Sequence, residues 1–375
     1  MALGILIFVA GIFVMILVHE LGHFVTAKRF GIKVEEFFVG FGPRLWSTRS
    51  GETEYGLKAV PLGGYVRIAG MNPLQEPAPE DRGRLFGDKP AWQRAIVLVS
   101  GAITHFVLAF LLLVSFFWVV GVPIFGGAQV VGVSRELEGR PSPASRADLR
   151  PGDRFVRFDG RPVDDYQRFL AYIDAHAGEP IELMVQRDDR QIPIRVTPTE
   201  VRDGKELVGR LGIIVSQAVV GRDRAGPIEG VADAGRAMGQ LAVGSFRAMG
   251  QVFGPEGVSR VAQLLTGERD RSVDDPVGVI GAARVSGQAV AAGQAEVFFS
   301  LFAFFNVFVG ILNLLPLPPL DGGHLAVLGV ERVTGWRIDQ RKLIPITALV
   351  AGFLLLFTVS LVYLDVVRPI PNPFQ

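Results

Sequence analysis

His19-Glu20-Leu21-Gly22-His23 puts two imidazoles four residues apart with a carboxylate next to the first. On a helix, positions four apart share a face, so both histidines can hold one metal ion with Glu20 beside it. Those residue types suit hydrolysis: the ion keeps one position open for water and lowers its pKa, and a carboxylate takes the proton. The chain has no cysteine, so the remaining ligand must be a histidine or a carboxylate. Asp321 leads, as the only carboxylate between Glu296 and Glu331. It stands in Asn313-Leu314-Leu315-Pro316-Leu317-Pro318-Pro319-Leu320-Asp321-Gly322-Gly323-His324, where three prolines and two glycines interrupt an apolar helix. Backbone groups freed in that way persist at membrane depth only against protein or water, so broken helices mark sites. A helix-capping role for Asp321 is the alternative.

The elements that carry these residues read as membrane spans. No residue from Met1 to Val18 is charged, and the first helix, residues 1–27, ends only at Lys28 and Arg29. At about 1.5 Å per residue it reaches roughly 39 Å, against about 30 Å of hydrocarbon. An ionisable group at that depth costs on the order of 3 kcal/mol, which makes His19, Glu20 and His23 functional candidates. The run has neither a basic leader nor a small-residue cleavage pattern, so it is expected to stay as a span and not to be removed as a signal peptide. Further spans are expected at residues 95–121, at 297–323, where the helix is broken, and at 343–367. His105 in the second is either a metal neighbour or a hydrogen-bonded packing residue.

The chain has 375 residues, 49% of them hydrophobic, enough for a membrane region and a soluble domain, and its net charge of +1 gives no sign of nucleic-acid binding. Residues 28–94 are rich in Lys and Arg, and residues 324–342 carry Arg332, Arg337, Arg341 and Lys342. Both are expected in the cytoplasm, with the termini and residues 122–296 outside and the candidate metal site toward the cytoplasmic face. Within 28–94, Glu52 to Met71 alternates weakly and holds Gly63-Gly64 after Pro61, which reads as a short hairpin. It is either an ordinary surface hairpin or a sheet edge that pairs with an extended substrate. Residues 122–221 read as a soluble α+β domain, with strands at Ala128–Val133, Asp153–Phe158, Ile181–Arg187 and Ile192–Thr197 and a helix at Asp165–Ala177. In 222–296, Val231, Ala234, Met238, Ala242, Phe246, Met249 and Phe253 recur at helical spacing; this amphipathic helix packs on the soluble domain by default, and lying on the membrane surface or restricting access to the site are the alternatives. The fold expected is a polytopic α-helical membrane protein of about four transmembrane helices, with a membrane-associated β-hairpin region and an inserted α+β domain.

Two resemblances add to this reading. Leu149-Arg150-Pro151-Gly152-Asp153 and the helix after Asp159-Gly160 resemble a PDZ domain in permuted order, in which Arg210-Leu211-Gly212-Ile213 matches the peptide-binding strand and its approach loop. Over nearly its full length the chain resembles the site-2 protease family of intramembrane zinc metalloproteases, most closely a bacterial single-PDZ form of the actinobacterial kind. The resemblance rests on His19-Glu20-Leu21-Gly22-His23, Val39-Gly40-Phe41-Gly42-Pro43, Val60-Pro61-Leu62-Gly63-Gly64-Tyr65, Asp275-Pro276-Val277-Gly278 and Asn313 to Gly323. It implies that His19, His23 and Asp321 hold one zinc ion with Glu20 as general base. It also implies substrate contacts at Asn313, Gly63, Gly64 and Tyr65, and at Leu211, Gly212 and Ile213 in the PDZ-like groove. The implied location is the bacterial cytoplasmic membrane, and the implied substrates are single-span membrane proteins such as anti-sigma factors, already trimmed by a site-1-type protease. The chain departs from the family at Gly101-Ala102-Ile103-Thr104-His105, where Gly-Pro-x-x-Asn is usual.

Overall fold

The computed structural model describes residues 2–72, 78–203, 206–291, 294–336 and 338–372; Arg337 of the basic loop lies outside them. The chain divides into two compact units, one made of residues up to Val119 together with Gly226–Asn372, the other of Val120–Ala225. The first unit begins with α1 (Ala2–Arg29), β1 (Val34–Ser50), β2 (Thr53–Ile68) and α2 (Ala91–Ser115), whose end widens into a π-helical turn at Phe116–Val120. The second unit contains β3 (Val122–Val133), β4 (Glu136–Leu137), β5 (Arg140–Pro141), α3 (Pro143–Arg146), β6 (Arg154–Phe158), β7 (Arg161–Pro162) and α4 (Tyr166–Ala175). It continues with β8 (Ile181–Arg187), β9 (Arg190–Val196), β10 (Thr199–Asp203), β11 (Glu206–Arg210) and β12 (Ile213–Asp223). The chain then returns to the first unit through α5 (Pro227–Phe253), α6 (Pro255–Thr266), α7 (Val279–Ala291), α8 (Ala295–Asn313), α9 (Asp321–Thr334) and α10 (Ile344–Val367).

Among the described residues, four helices are long and apolar enough to cross a membrane: Ala2–Arg29, Ala91–Val120, Glu296–Asn313 and Arg341–Val367. Their outward faces are Leu, Val, Ile and Phe, as on Leu6, Val14, Val107, Leu111, Leu349 and Leu356. A helix that is apolar all round has no reason to face water. α2 is the hub and packs against α1, α5, α8 and α9. Ala109, Leu113 and Val114 of α2 share one core with Ala303, Val307 and Ile311 of α8. A second core joins Ala27 of α1, Val34 and Ile68 of the two strands, Val97 and Leu98 of α2 and Leu328 of α9, which sets β2 beside α1 and α9 beside α2.

The strand region corrects the sequence reading in one respect. Its connecting turn is at Gly51-Glu52, and Gly63-Gly64 lies inside β2. β1 and β2 are long and bent, so Phe38 faces Tyr65 on one side and Gly56 on the other, while Trp46 faces Leu57. This arrangement leaves the stretch around Gly64 at one edge. The turn is tied down by charge: Lys28, in the last turn of α1, reaches Glu52 at 2.6 Å, Arg84 pairs with the same carboxylate, and buried Thr53 donates to the Val34 carbonyl at 2.7 Å. The amphipathic helix also differs. Through Ala234 and Met249, α5 packs on α2 and α8, whereas Val231 and Phe246 are exposed. Helical spacing marks an apolar face but does not say which apolar partner covers it.

In the second unit the main sheet runs β12-β3-β6-β8-β9, with β7 beside β6. Phe155, Phe158, Leu183 and Val185 pack with Phe169 and Ile173 of α4. Asp165 caps α4 by accepting the Arg168 N–H at 2.8 Å, and the Tyr166 hydroxyl donates to the Val215 carbonyl of β12 at 2.9 Å. Arg187 and buried Asp153 make a two-pronged ion pair at 2.7 Å.

Candidate metal centre

Each donor is positioned by a local feature of its element. His19 and His23 point the same way from α1, one turn apart. Gly322 and Gly323 let the 314–320 segment fold under the start of α9, since a Cβ on Gly322 would lie 2.3 Å from the Leu314 carbonyl oxygen. Asp321 is thereby the first helical residue of α9, and Leu320, which makes no side-chain cap, precedes it. The capping alternative for Asp321 therefore lapses, and its Oδ2 is buried without an ordinary hydrogen bond.

The three side chains converge. His23 Nε2 lies 3.3 Å from His19 Nε2 and 3.3 Å from Asp321 Oδ2, and His19 Nε2 is 3.6 Å from the same oxygen. Tetrahedral ligation by nitrogen and oxygen at about 2.0–2.1 Å needs donors roughly 3.3–3.4 Å apart, so these separations fit zinc. The protonation pattern asks for the same thing. His23 Nδ1 is 2.7 Å from the Val97 carbonyl oxygen, which can only accept, so Nδ1 carries the proton and Nε2 offers a lone pair. Lone pairs and a carboxylate oxygen that face one another without a donor among them call for a cation.

α2 supplies the back wall. A Cβ on Gly101 would sit 2.3 Å from His23 Nε2 and 2.6 Å from His19 Cε1, so only glycine leaves room for the rings. Gly22, inside the histidine motif, works likewise from α1: its Cβ would meet the Ser100 carbonyl oxygen at 2.8 Å. Small residues at both contacts let the two backbones close on each other, as helices packed in lipid do.

Glu20 occupies the other side. Its carboxyl lies close to His23, Asp321 and the Val66 backbone of β2. A Cβ on Gly64 would come 3.4 Å from Glu20 Cγ, so the edge of β2 borders the carboxylate directly.

Of the expected substrate contacts, Gly64 lies next to Glu20, while Gly63 faces Phe41. Tyr65 is held within its own sheet: its hydroxyl donates to Glu36, and its ring stacks with Phe38 and lies 4.8 Å under Lys58 Nζ. Asn313 ends α8 and is half-buried. In the second unit the Leu211 side chain is buried in the core, so that residue offers only backbone to a ligand. Its carbonyl accepts from Ala144, the Gly212 carbonyl accepts from Ser134, and Ile213 pairs with Val133.

Sequence reasoning missed Val97 and named Gly101 only within the stretch that departs from the family, although spacing could have placed both on the wall, since Val97, Gly101 and His105 fall one turn apart along α2. It also passed over a closed charge pair away from the site. Asp365 of α10 and Arg271 of the α6–α7 connection pair at 2.7 Å, with side chains 1% and 2% exposed.

The family model described as peptidase family M50 matches residues 7–358. The chain is 34% identical over 406 residues to the zinc metalloprotease Rip1 of Mycobacterium tuberculosis, with 98% of each protein covered. It is 32% identical over 360 residues to the metalloprotease MmpA of Caulobacter vibrioides, covering 85% of this chain and 84% of that one. Among solved structures, the PDZ domain of the SdrC-like protein of Listeria monocytogenes is similar over 24% of this chain and 90% of that domain, at 24% identity and a TM-score of 0.21.

Proposed function

The chain belongs to peptidase family M50 and is a zinc metalloendopeptidase, and from that premise we propose that it cuts peptide bonds within single transmembrane helices. The observation that carries the proposal is the convergence of His19 and His23, inside a helix long and apolar enough to cross a bilayer, with Asp321 at the start of α9. These three side chains would hold one zinc ion. Zinc supplies Lewis acidity, which polarises a carbonyl and lowers the pKa of water.

The protein's own groups do the rest. Glu20 takes the proton of the attacking water and returns it to the leaving amine. Gly64 and its neighbours on β2 pair with the substrate backbone as an added strand, which holds open a helix whose peptide bonds are otherwise shielded. Asn313, at the end of α8, contacts that backbone, and Leu211, Gly212 and Ile213 receive an extended peptide in the second unit. The substrates are single-span proteins already trimmed by a site-1-type protease, anti-sigma factors among them. The chain lies in the bacterial cytoplasmic membrane, with its termini and the second unit outside and the zinc site toward the cytoplasm.

The test is cleavage of purified single-span membrane proteins in detergent, wild type against Glu20→Gln, with and without a chelator. Cutting inside a span, lost in the variant while its zinc is retained and lost in the wild type on chelation, is the expected result. Equal cutting by both proteins at equal zinc content would remove Glu20 from the mechanism.

A further inference from the structure

The two imidazoles are held by different means. His23 is fixed by its 2.7 Å bond to the Val97 carbonyl, which the Ser100 hydroxyl also approaches at 2.7 Å. His19 lies close to Gly101, one turn further along α2, but its Nδ1 is buried without an ordinary hydrogen bond. A ligand whose second nitrogen is not tied can turn about its side-chain bonds, and metal-binding histidines normally have that nitrogen tied.

The next residue in the same series on α2 is His105. It is 2% exposed, and its ring centroid lies 4.9 Å from that of His19 with the planes 39° apart. Behind it stands α8. Asn306 lies against His105 and is itself anchored by donating to the Phe302 carbonyl at 2.9 Å. A Cβ on Gly310 would come 3.1 Å from the His105 Cβ, so α8 presses closely on this residue. A buried polar ring in an apolar span is costly unless it serves some purpose that leucine or phenylalanine would not.

We propose that His105 is a positioning residue for His19, its ring backed by Asn306 and setting the orientation that no hydrogen bond sets. The inference rests on the reading of His19 as a zinc ligand. His105 itself touches neither the ion nor the substrate in this role. The order of support runs from the α8 backbone through Asn306 and His105 to His19, and it ends on one ligand only.

The test compares full-length His105→Leu and His105→Gln with wild type by zinc affinity in chelator competition and by the visible spectrum of the cobalt-loaded protein. Leucine keeps the volume and removes the flat polar group, while glutamine restores a planar polar group at similar reach. Leucine is expected to lower zinc affinity about ten- to a hundredfold and to shift the cobalt spectrum, with glutamine staying within about threefold of wild type. Wild-type affinity and spectrum in His105→Leu, or equal losses in both variants, would overturn the proposal. If the leucine variant does not fold, the glutamine variant decides alone, a loss beyond about threefold counting against it. His19→Ala separates the two levels of argument. Undiminished zinc affinity there would overturn the ligand reading and His105's role with it. Metal loss there beside normal affinity in His105→Leu would overturn the positioning role alone.

Discussion

The carbonyl oxygen of Val97 on α2 accepts the Nδ1 proton of His23 on α1 at 2.7 Å. A helix carbonyl already engaged along its own axis thus also sets the tautomer of a candidate zinc ligand on the neighbouring helix. The contact is possible only because α1 and α2 approach closely at Gly22 and Gly101.

Gly101→Ala tests that approach. The new methyl group would lie within 2.8 Å of both imidazoles, so at least one ring must shift from its place. Zinc content after dialysis should fall, with affinity reduced about ten- to a hundredfold, while helix content measured by circular dichroism stays at the wild-type level. Normal zinc retention would show that α2 can yield at this point.

The Arg271–Asp365 pair concerns stability. Asp365 also accepts the Gly281 N–H at 2.7 Å, and Arg271 donates to the carbonyls of Pro276 and Arg368, both at 2.9 Å. Asp365→Leu leaves the arginine buried without its counter-charge, a change that costs about 3–5 kcal/mol. The thermal midpoint in detergent should drop, and Arg271→Met combined with Asp365→Leu should recover part of the loss. A wild-type midpoint in the single variant would contradict this account.

In the second unit, the Tyr172 hydroxyl donates to Asp159. Burial first, and then the Asp159 carboxylate, push the Tyr172 phenol up to about 12. The Tyr172 hydroxyl and next the Glu182 backbone N–H hold the Asp159 carboxyl below its ordinary value. A raised phenol contributes stability that is whole below its ordinary value of 10.0 and is lost as pH climbs through the raised one. A lowered carboxyl contributes stability that is present above its ordinary value of 3.8 and is lost as pH falls past it. Limited proteolysis of the full chain should therefore show this unit resistant at neutral pH and more readily cut below pH 3.8. Asp159→Asn should flatten that acid limb, and an unchanged limb would remove Asp159 from the explanation.

The long apolar helices and four strands of the second unit's main sheet, β3, β6, β8 and β9, were legible because their signals are local. β8 covers Ile181–Arg187 as its alternation predicts, and α4 begins just after its capping residue Asp165. The turn of the β1–β2 region was misread because Gly63-Gly64 has the composition of a turn. Both glycines instead serve close packing, Gly63 against Phe41 and Gly64 against the backbone beside Phe38 and near Glu20. That α5 packs on α2 and α8 was not legible, because an apolar stripe fits any apolar surface.

By itself the sequence determined that His19, Glu20 and His23 share a helix, that this helix is apolar enough for a membrane, and that Asp321 follows a break in an apolar helix. Those facts follow from periodicity and from proline and glycine chemistry, which neighbouring residues decide among themselves. That Asp321 opens α9, where a loop was expected from residue 324, came from the structure. Only the tertiary structure decided that Asp321 Oδ2 comes within 3.3 Å of His23, that Val97 orients one imidazole, and that His105 lies against the other. Such distances depend on how closely α1, α2, α8 and α9 approach, and that is set by packing between segments far apart in the chain.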